Sequence, residues 1–138
     1  SNEKNLKINN LGWISQKKLI NYMNKCHLAY LPYKSEPKFE HHMKYAFPGK
    51  SGFYISNNLP VFFHGPKYSS FNYFLKEYCV GLSCDLLDPK SIYLKLIELI
   101  ENKSLYFKYQ KAFKDDFKNK FSKEIFSRNV TYFFDKTY

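Results

Sequence analysis

Short apolar runs alternate along the chain with longer stretches in which apolar residues recur at helical spacing. Residues 28–31 and 61–63 are continuous apolar runs, which is typical of parallel strands buried on both faces. Residues 80–83, which include Gly81, are expected to form the last strand. A weaker strand candidate is 7–11, with Ile8 as its clearest inward-facing residue. It would pair directly with the 28–31 strand or leave an edge that dimerises.

Helical patterns separate and follow these strands. Ser15 is expected to cap a helix whose apolar face includes Leu19 and Met23, and Asp88-Pro89 is a strong start for a longer helix. The helix between the last two strands has an apolar stripe made of Phe71, Phe74, Leu75 and Tyr78. The helix after Asp88 has an apolar stripe made of Ile92, Leu96, Leu99 and Ile100. This alternation predicts a three-layer α/β domain with about four parallel strands and a helical C-terminus.

Aromatic and basic residues are interleaved near the C-terminus. A helix beginning at Ser104 would carry an aromatic stripe spaced by four, and Ser122 is expected to cap a final helix. Such a stripe is more often a core face than a surface lying on an anionic membrane, although both interpretations fit the pattern. The stripe is Tyr109, Phe113, Phe117 and Phe121, interleaved with lysines 108, 111, 114 and 118.

Length and cysteine content limit the class of protein. The chain has 138 residues, and we expect 3–138 to form one domain, with Ser1-Asn2 set aside as a remnant of an expression tag. Three cysteines are an odd number in no zinc-like spacing, which indicates a reducing compartment, and Cys79 is expected to be buried. No apolar run approaches the roughly 20 residues of a membrane span, and no signal peptide begins the sequence. We therefore expect a cytoplasmic protein, soluble or peripheral on the inner face of the membrane.

The net charge favours an anionic partner without identifying it. Lys and Arg number 22 against 12 Asp and Glu, which gives a formal charge of +10. Phosphorylated ligands, anionic lipids and nucleic acid all suit this charge. A Lys- and Asn-rich proteome would also produce it without any function.

Residues 47–63 predict a glycine-bearing turn, a short helix and a buried strand. Pro48 and Gly49 interrupt what precedes them, Lys50 and Ser51 can open a helix, and Asn57-Asn58 can close it. Free backbone N–H groups and a partial positive charge at a helix N-terminus attract an anion, and the adjacent lysine adds a full charge. A plain loop–helix–strand unit with a surface lysine explains the local pattern equally well.

With its flanks, this stretch resembles the C-terminal, nucleotide-sugar-binding domain of bacterial GT-B glycosyltransferases of group 1, or family 4-like. The family pattern is Pro-x-Lys-x-x-x-Tyr followed by Pro-Val, and Pro48, Lys50, Tyr54, Pro60 and Val61 fit it. Further segments that are similar to family strands, in the same order along the chain, are 11–15, 28–32 and 77–82.

The resemblance implies a Rossmann-like domain and a hexosyltransferase type of activity in cell-surface glycan synthesis. It implies that the turn Gly49-Lys50-Ser51 holds the diphosphate of a UDP- or GDP-sugar, without a cofactor or metal. His64 is a further candidate for donor binding because it lies at the carboxyl end of a predicted strand, where ligands bind in open α/β sheets. Phe53 and Tyr45 occupy positions where family members carry acidic residues, so no donor contact is carried over to them.

A whole GT-B enzyme has two such domains, with the acceptor site and any catalytic base usually in the N-terminal one. We therefore expect the chain to be a truncated part of such an enzyme, inactive alone, and we assign no catalytic residue. The alternative function is a nucleic-acid or anionic-membrane binding module without catalysis. Nucleic acid is the less favoured partner because no recognisable motif accompanies the charge.

The polar segment 33–45 is expected to be a loop, or a loop with one helical turn, that lines the site. Its His41-His42 pair invites a metal interpretation. Adjacent residues project apart on regular elements, and no third ligand has convincing spacing. Loop histidines without a metal are the better interpretation.

Overall fold

The computed structural model describes residues 7–33, 36–112 and 120–135. The described part of the chain is an α/β structure in which helices alternate with short strands. In chain order the elements are α1 (Gln16–Met23), β1 (Ala29–Pro32), a 3₁₀ turn (Pro37–Phe39), α2 (Glu40–Tyr45), α3 (Gly49–Ser56), β2 (Val61–His64), α4 (Ser70–Tyr78), β3 (Gly81–Cys84), α5 (Pro89–Glu101), α6 (Lys103–Ala112) and α7 (Lys123–Asp135).

The strands form one parallel sheet in the order β1-β2-β3. Val61 of β2 is in register with Ala29 on one side and with Gly81 on the other. The parallel pairing predicted for the runs 28–31, 61–63 and 80–83 is confirmed. Because the strands are parallel, their carboxyl ends lie at the same edge of the sheet.

The central strand β2 is buried on both faces. Val61, Phe62 and Phe63 are 0% exposed, and side chains alternate between faces along a strand. On one face, Val61 and Phe63 pack in a cluster with Phe71 of α4 and Ile55 of α3. Burial of each such side chain stabilises the fold by about 1.5–3 kcal/mol, so β2 is the centre of the core.

Several helices begin at the residues that the sequence indicates. The Ser15 hydroxyl accepts a hydrogen bond from the Lys18 amide at the start of α1, and Asp88 accepts one from the Ser91 amide at 2.8 Å at the start of α5. Ser122 is the corresponding acceptor before α7. These three predicted caps are confirmed.

The predicted strand at 7–11 is wrong. Within the described residues 7–15 the backbone pairs with no strand, and Ile8 is 86% exposed. The Gly12 amide instead donates to the side-chain oxygen of Asn10 at 2.9 Å, a local bond that competes with a strand ladder. Two apolar side chains, Ile8 and Leu11, also offer too little burial to hold an edge strand. The described sheet therefore has three strands rather than about four.

Two burial predictions are also wrong. Cys79 is only half-buried and follows the last residue of α4, in the left-handed conformation with φ 50°. The buried thiol is that of Cys84. Ile100 is 50% exposed, whereas its neighbour Leu99 is fully buried.

The segment 33–45, expected to be mostly loop, contains the 3₁₀ turn and α2.

The aromatic stripe predicted from Ser104 is described only in part. Tyr109 of α6 is buried, and Phe121 is half exposed with its ring 5.3 Å from that of Tyr78. Phe113 and Phe117, with lysines 114 and 118, lie outside the described residues. Among the helices that the structure describes, none combines the length and the apolar character needed to cross a bilayer.

Gly81 provides a test of the packing between β2 and β3. A Cβ atom at this position would overlap the backbone carbonyl oxygen of Val61, which cannot move without disturbing the ladder. We expect Gly81→Ala to lower the free energy of unfolding by about 3 kcal/mol, measured by urea denaturation. Gly52→Ala is the matched control, since a Cβ atom there meets nothing within 4 Å. Equal stabilities of the two variants would contradict this account.

Candidate functional site

A groove of about 350 Å³ lies where the carboxyl end of β1 meets the start of α3. We call it the α3 groove. The strand contributes one wall and the first turn of the helix contributes the other. Its lining residues are Tyr30, Leu31, Pro32, Tyr33, Pro48, Gly49, Lys50 and Tyr54.

The N-terminus of α3 has no side-chain cap. Pro48 occupies the cap position, and its side chain can accept no hydrogen bond. The first amides of a helix lack partners within the helix, so the N–H groups of Gly49 and Lys50 precede the first bonds of α3. Uncapped amides beside a groove are donors for an anion.

Lys50 and Gly49 are both exposed at this helix end. Lys50 makes no ion pair with any residue that the structure describes, so its charge is not neutralised within that part of the chain. A Cβ atom at Gly49 would meet nothing within 4 Å, and its φ lies outside the left-handed region. The glycine is therefore required neither by internal packing nor by backbone conformation.

Ser51 is turned into the protein. It is 0% exposed, and its hydroxyl donates to the Pro48 carbonyl oxygen, which also accepts the Ser51 amide at 2.9 Å. These two bonds fix the first turn of α3. Of the three residues predicted to form the turn around a diphosphate, Gly49 and Lys50 therefore face the groove, whereas Ser51 holds the turn in place.

His64 lies beside the α3 groove rather than in its lining. Its Nε2 is 2.8 Å from the Leu86 carbonyl oxygen, and its Nδ1 is 2.7 Å from the Tyr30 hydroxyl. A carbonyl oxygen only accepts, so Nε2 carries a proton and donates to Leu86, while Nδ1 and the Tyr30 hydroxyl share the second hydrogen bond. Both ring nitrogens of His64 are therefore bonded to described residues, and Tyr30 connects His64 to the groove.

Tyr30 is a groove residue that the sequence analysis missed. Its ring stacks on Phe62 at 5.9 Å and remains 46% exposed. Partial burial, and secondarily the Cys84 thiol, raise the pKa of Tyr30 above its ordinary value, so the phenol remains a hydrogen-bond donor. The sequence contained one signal for this residue, namely a tyrosine inside an otherwise apolar strand. The hydroxyl of such a tyrosine needs a hydrogen-bond partner when its ring packs against the core.

The segment 33–45 contributes less to the groove than predicted. Within the described part of this segment, Tyr33 is the residue that lines the α3 groove. His41 is exposed and packs its ring 4.9 Å from that of Tyr45, within α2. Among the described residues, no three His, Cys, Asp or Glu side chains come together in a group that could hold a metal ion.

Comparisons of the chain with protein-family models, with curated proteins and with solved structures find no match. The glycosyltransferase resemblance in the motifs therefore stays a prediction.

The bond between Tyr30 and His64 provides a test of the wall of the groove. We expect Tyr30→Phe and His64→Ala to show a coupling energy of about 0.5–1.5 kcal/mol in a double-mutant cycle of unfolding free energies, because each substitution removes the same hydrogen bond. The measurement is urea denaturation of the two single variants and the double variant. Additive effects would show that this bond does not stabilise the fold.

Proposed function

We propose that the described sheet and helices form the donor-binding, Rossmann-like domain of a glycosyltransferase, and that the α3 groove holds the diphosphate of a UDP- or GDP-sugar. The observation that carries the proposal is the uncapped start of α3, where Gly49 and Lys50 open onto the groove beside the carboxyl end of β1. The motif resemblance around Pro48, Lys50 and Tyr54 supports the same location.

The donors at this position suit a diphosphate. The amides of Gly49 and Lys50 provide fixed hydrogen-bond donors, and the positive end of the helix lowers the free energy of a nearby negative charge. The Lys50 ammonium adds a flexible cation that reaches phosphate oxygens as a point charge. Gly49 has no side chain, so a phosphate oxygen can approach the backbone closely.

The remaining walls suit the organic part of such a ligand. Tyr30, Tyr33 and Tyr54 present three aromatic side chains around the groove. Aromatic rings pack against the planar face of a base or the apolar face of a sugar, and phenol hydroxyls can bond its polar groups. A carboxylate for the ribose is absent from the described lining, since Phe53 and Tyr45 stand where the resembled family has acidic residues.

The chemical step is proposed to belong to the complete enzyme. A missing N-terminal domain would contribute the acceptor site and any catalytic base, and this chain would be inactive alone. The residues of the chain that the proposal uses are Gly49 and Lys50 for the anion, Ser51 for the helix turn, and His64 with Tyr30 for the groove wall.

Lys50 gives the first test of the proposed donor site. We expect Lys50→Ala to weaken the binding of UDP- or GDP-sugars to the complete protein about tenfold, because one charge-assisted hydrogen bond is lost. Titration calorimetry measures the affinities, and the unfolding free energy should stay unchanged because Lys50 is exposed. Lys17→Ala, at an exposed position of α1, is the matched control.

Equal donor affinity of the wild type and Lys50→Ala would contradict the proposal. An equal loss in Lys17→Ala would also contradict it, because that result indicates nonspecific attraction of the kind expected for a nucleic-acid or anionic-membrane binding module. In that case, binding should also fall steeply with salt.

Gly49 gives a second test that separates binding from folding. Gly49→Val places a branched side chain where an anion would approach, yet its Cβ atom meets no protein atom within 4 Å. We expect a folded protein of nearly unchanged stability whose donor affinity is reduced at least tenfold, measured by urea denaturation and calorimetry. Gly52→Val on the same helix has equally open surroundings and should bind normally. A Gly49→Val protein that binds as tightly as Gly52→Val would place the anion elsewhere.

A further inference from the structure

A second groove, of about 330 Å³, lies at the carboxyl ends of β2 and β3, beside α4. We call it the β3 groove. It shares no lining residue with the α3 groove. Its lining residues are Gly65, Lys67, Asn72, Lys76, Ser83, Cys84, Asp85, Leu86 and Lys95.

The charged side chains of the β3 groove favour an anion. Its lining carries three lysines, of which Lys67 pairs with Asp85 and Lys95 pairs with Glu98 at 2.6 Å. Lys76 makes no ion pair among the residues that the structure describes. A phosphate monoester has three acceptor oxygens and a charge of about −1.5 to −2 at pH 7, so it can accept from Lys76 and from Lys67 at the same time.

The ion pair already present in the groove is weak enough to be exchanged. Lys67 Nζ lies 2.9 Å from Asp85 Oδ2, and the two side chains are 76% and 31% exposed, respectively. A pair whose lysine is this exposed contributes about 1 kcal/mol to stability. Lys67 can therefore leave Asp85 for a ligand phosphate at little cost.

Asn72 supplies a second, independent observation. It is only 1% exposed, and its Nδ2 donates to the Lys67 carbonyl oxygen at 2.6 Å. Because a carbonyl oxygen only accepts, this bond fixes the orientation of the amide. The Asn72 Oδ1 is consequently a buried acceptor that has no hydrogen-bond partner in the described part of the chain.

The unpartnered Oδ1 atom indicates that a ligand of this groove should carry a hydrogen-bond donor. Leaving such an atom without a donor costs about 1–3 kcal/mol, and buried polar atoms in proteins are nearly always bonded to protein, water or ligand. A bare phosphate dianion offers only acceptors, so it cannot satisfy Oδ1. A neighbouring hydroxyl group can.

Access to Oδ1 requires a small movement, because the atom has almost no exposed surface. Lys67 and Lys76 are exposed side chains at the groove. Exposed side chains change rotamer within nanoseconds, so these two lysines can reposition around a ligand.

We propose that the β3 groove binds a small phosphate ester that carries a free hydroxyl group, with Lys67 and Lys76 on the phosphate and Asn72 Oδ1 accepting from the hydroxyl. This site is separate from the proposed donor site and does not depend on it. The proposal gives the buried side-chain amide of Asn72 a function. The apolar stripe of α4 does not by itself explain why a polar side chain is buried there.

The test is titration of the complete chain with glycerol 3-phosphate, followed by two-dimensional NMR of backbone and side-chain amides. We expect the Gly65 amide and the Asn72 side-chain NH₂ signals to shift. Ethyl phosphate, which has the phosphate but no hydroxyl, should bind about tenfold more weakly, because the donor to Oδ1 is lost. Absence of shifts at these groups, or equal affinity for the two esters, would overturn the proposal.

Variants separate the two parts of the site. Lys76→Gln should weaken the binding of glycerol 3-phosphate about tenfold. Lys18→Gln, which makes the same charge change on α1, should not. Asn72→Leu should remove the preference for glycerol 3-phosphate over ethyl phosphate; should it fail to fold, the ester comparison in the wild-type protein still decides.

An unchanged affinity in Lys76→Gln, or an equal loss in Lys18→Gln, would overturn the site. A folded Asn72→Leu protein that keeps the preference would show that Oδ1 is satisfied by water rather than by the ligand. Lys50→Ala should leave glycerol 3-phosphate binding intact, which distinguishes the β3 groove from the proposed donor site.

Discussion

The pairing of β2 with a parallel strand on each side is the constraint on which the rest of the structure depends. Its residues Val61, Phe62 and Phe63 have no exposed surface, so β2 is held by backbone bonds at both edges and by side chains on both faces. Parallel strands need crossover connections, and α3 and α4 provide them. The segments that leave the three strands therefore gather at one edge of the sheet, where both grooves lie.

The two proposed sites would attract an anion by different means. The α3 groove would use uncapped amides and one lysine, whereas the β3 groove would use Lys67 and Lys76 beside a buried amide. A net charge of +10 gives a general attraction for anions without choosing a site. Local geometry makes the choice, because fixed N–H donors and a fixed acceptor each demand a complementary partner.

Much of the fold could be predicted from the sequence because its signals are local. Apolar runs mark β1, β2 and β3, and the residues Ser15, Asp88 and Ser122 mark the starts of helices. The strand predicted at 7–11 is wrong because strand formation depends on a neighbouring strand, which the apolar residues Ile8 and Leu11 do not reveal. The site was only partly predictable: Gly49 and Lys50 follow from the helix start, but the inward turn of Ser51 and the exposure of Tyr30 depend on packing.

The hydrogen-bond chain from Tyr30 through His64 to Leu86 crosses the edge of the sheet from one groove to the other. Tyr30 lines the α3 groove, and Leu86 lines the β3 groove. The two ring nitrogens of His64 are therefore in contact with both neighbourhoods at once. The chemical shifts of this one imidazole provide a built-in spectroscopic reporter: occupancy of the α3 groove would perturb Nδ1 first, and occupancy of the β3 groove would perturb Nε2 first.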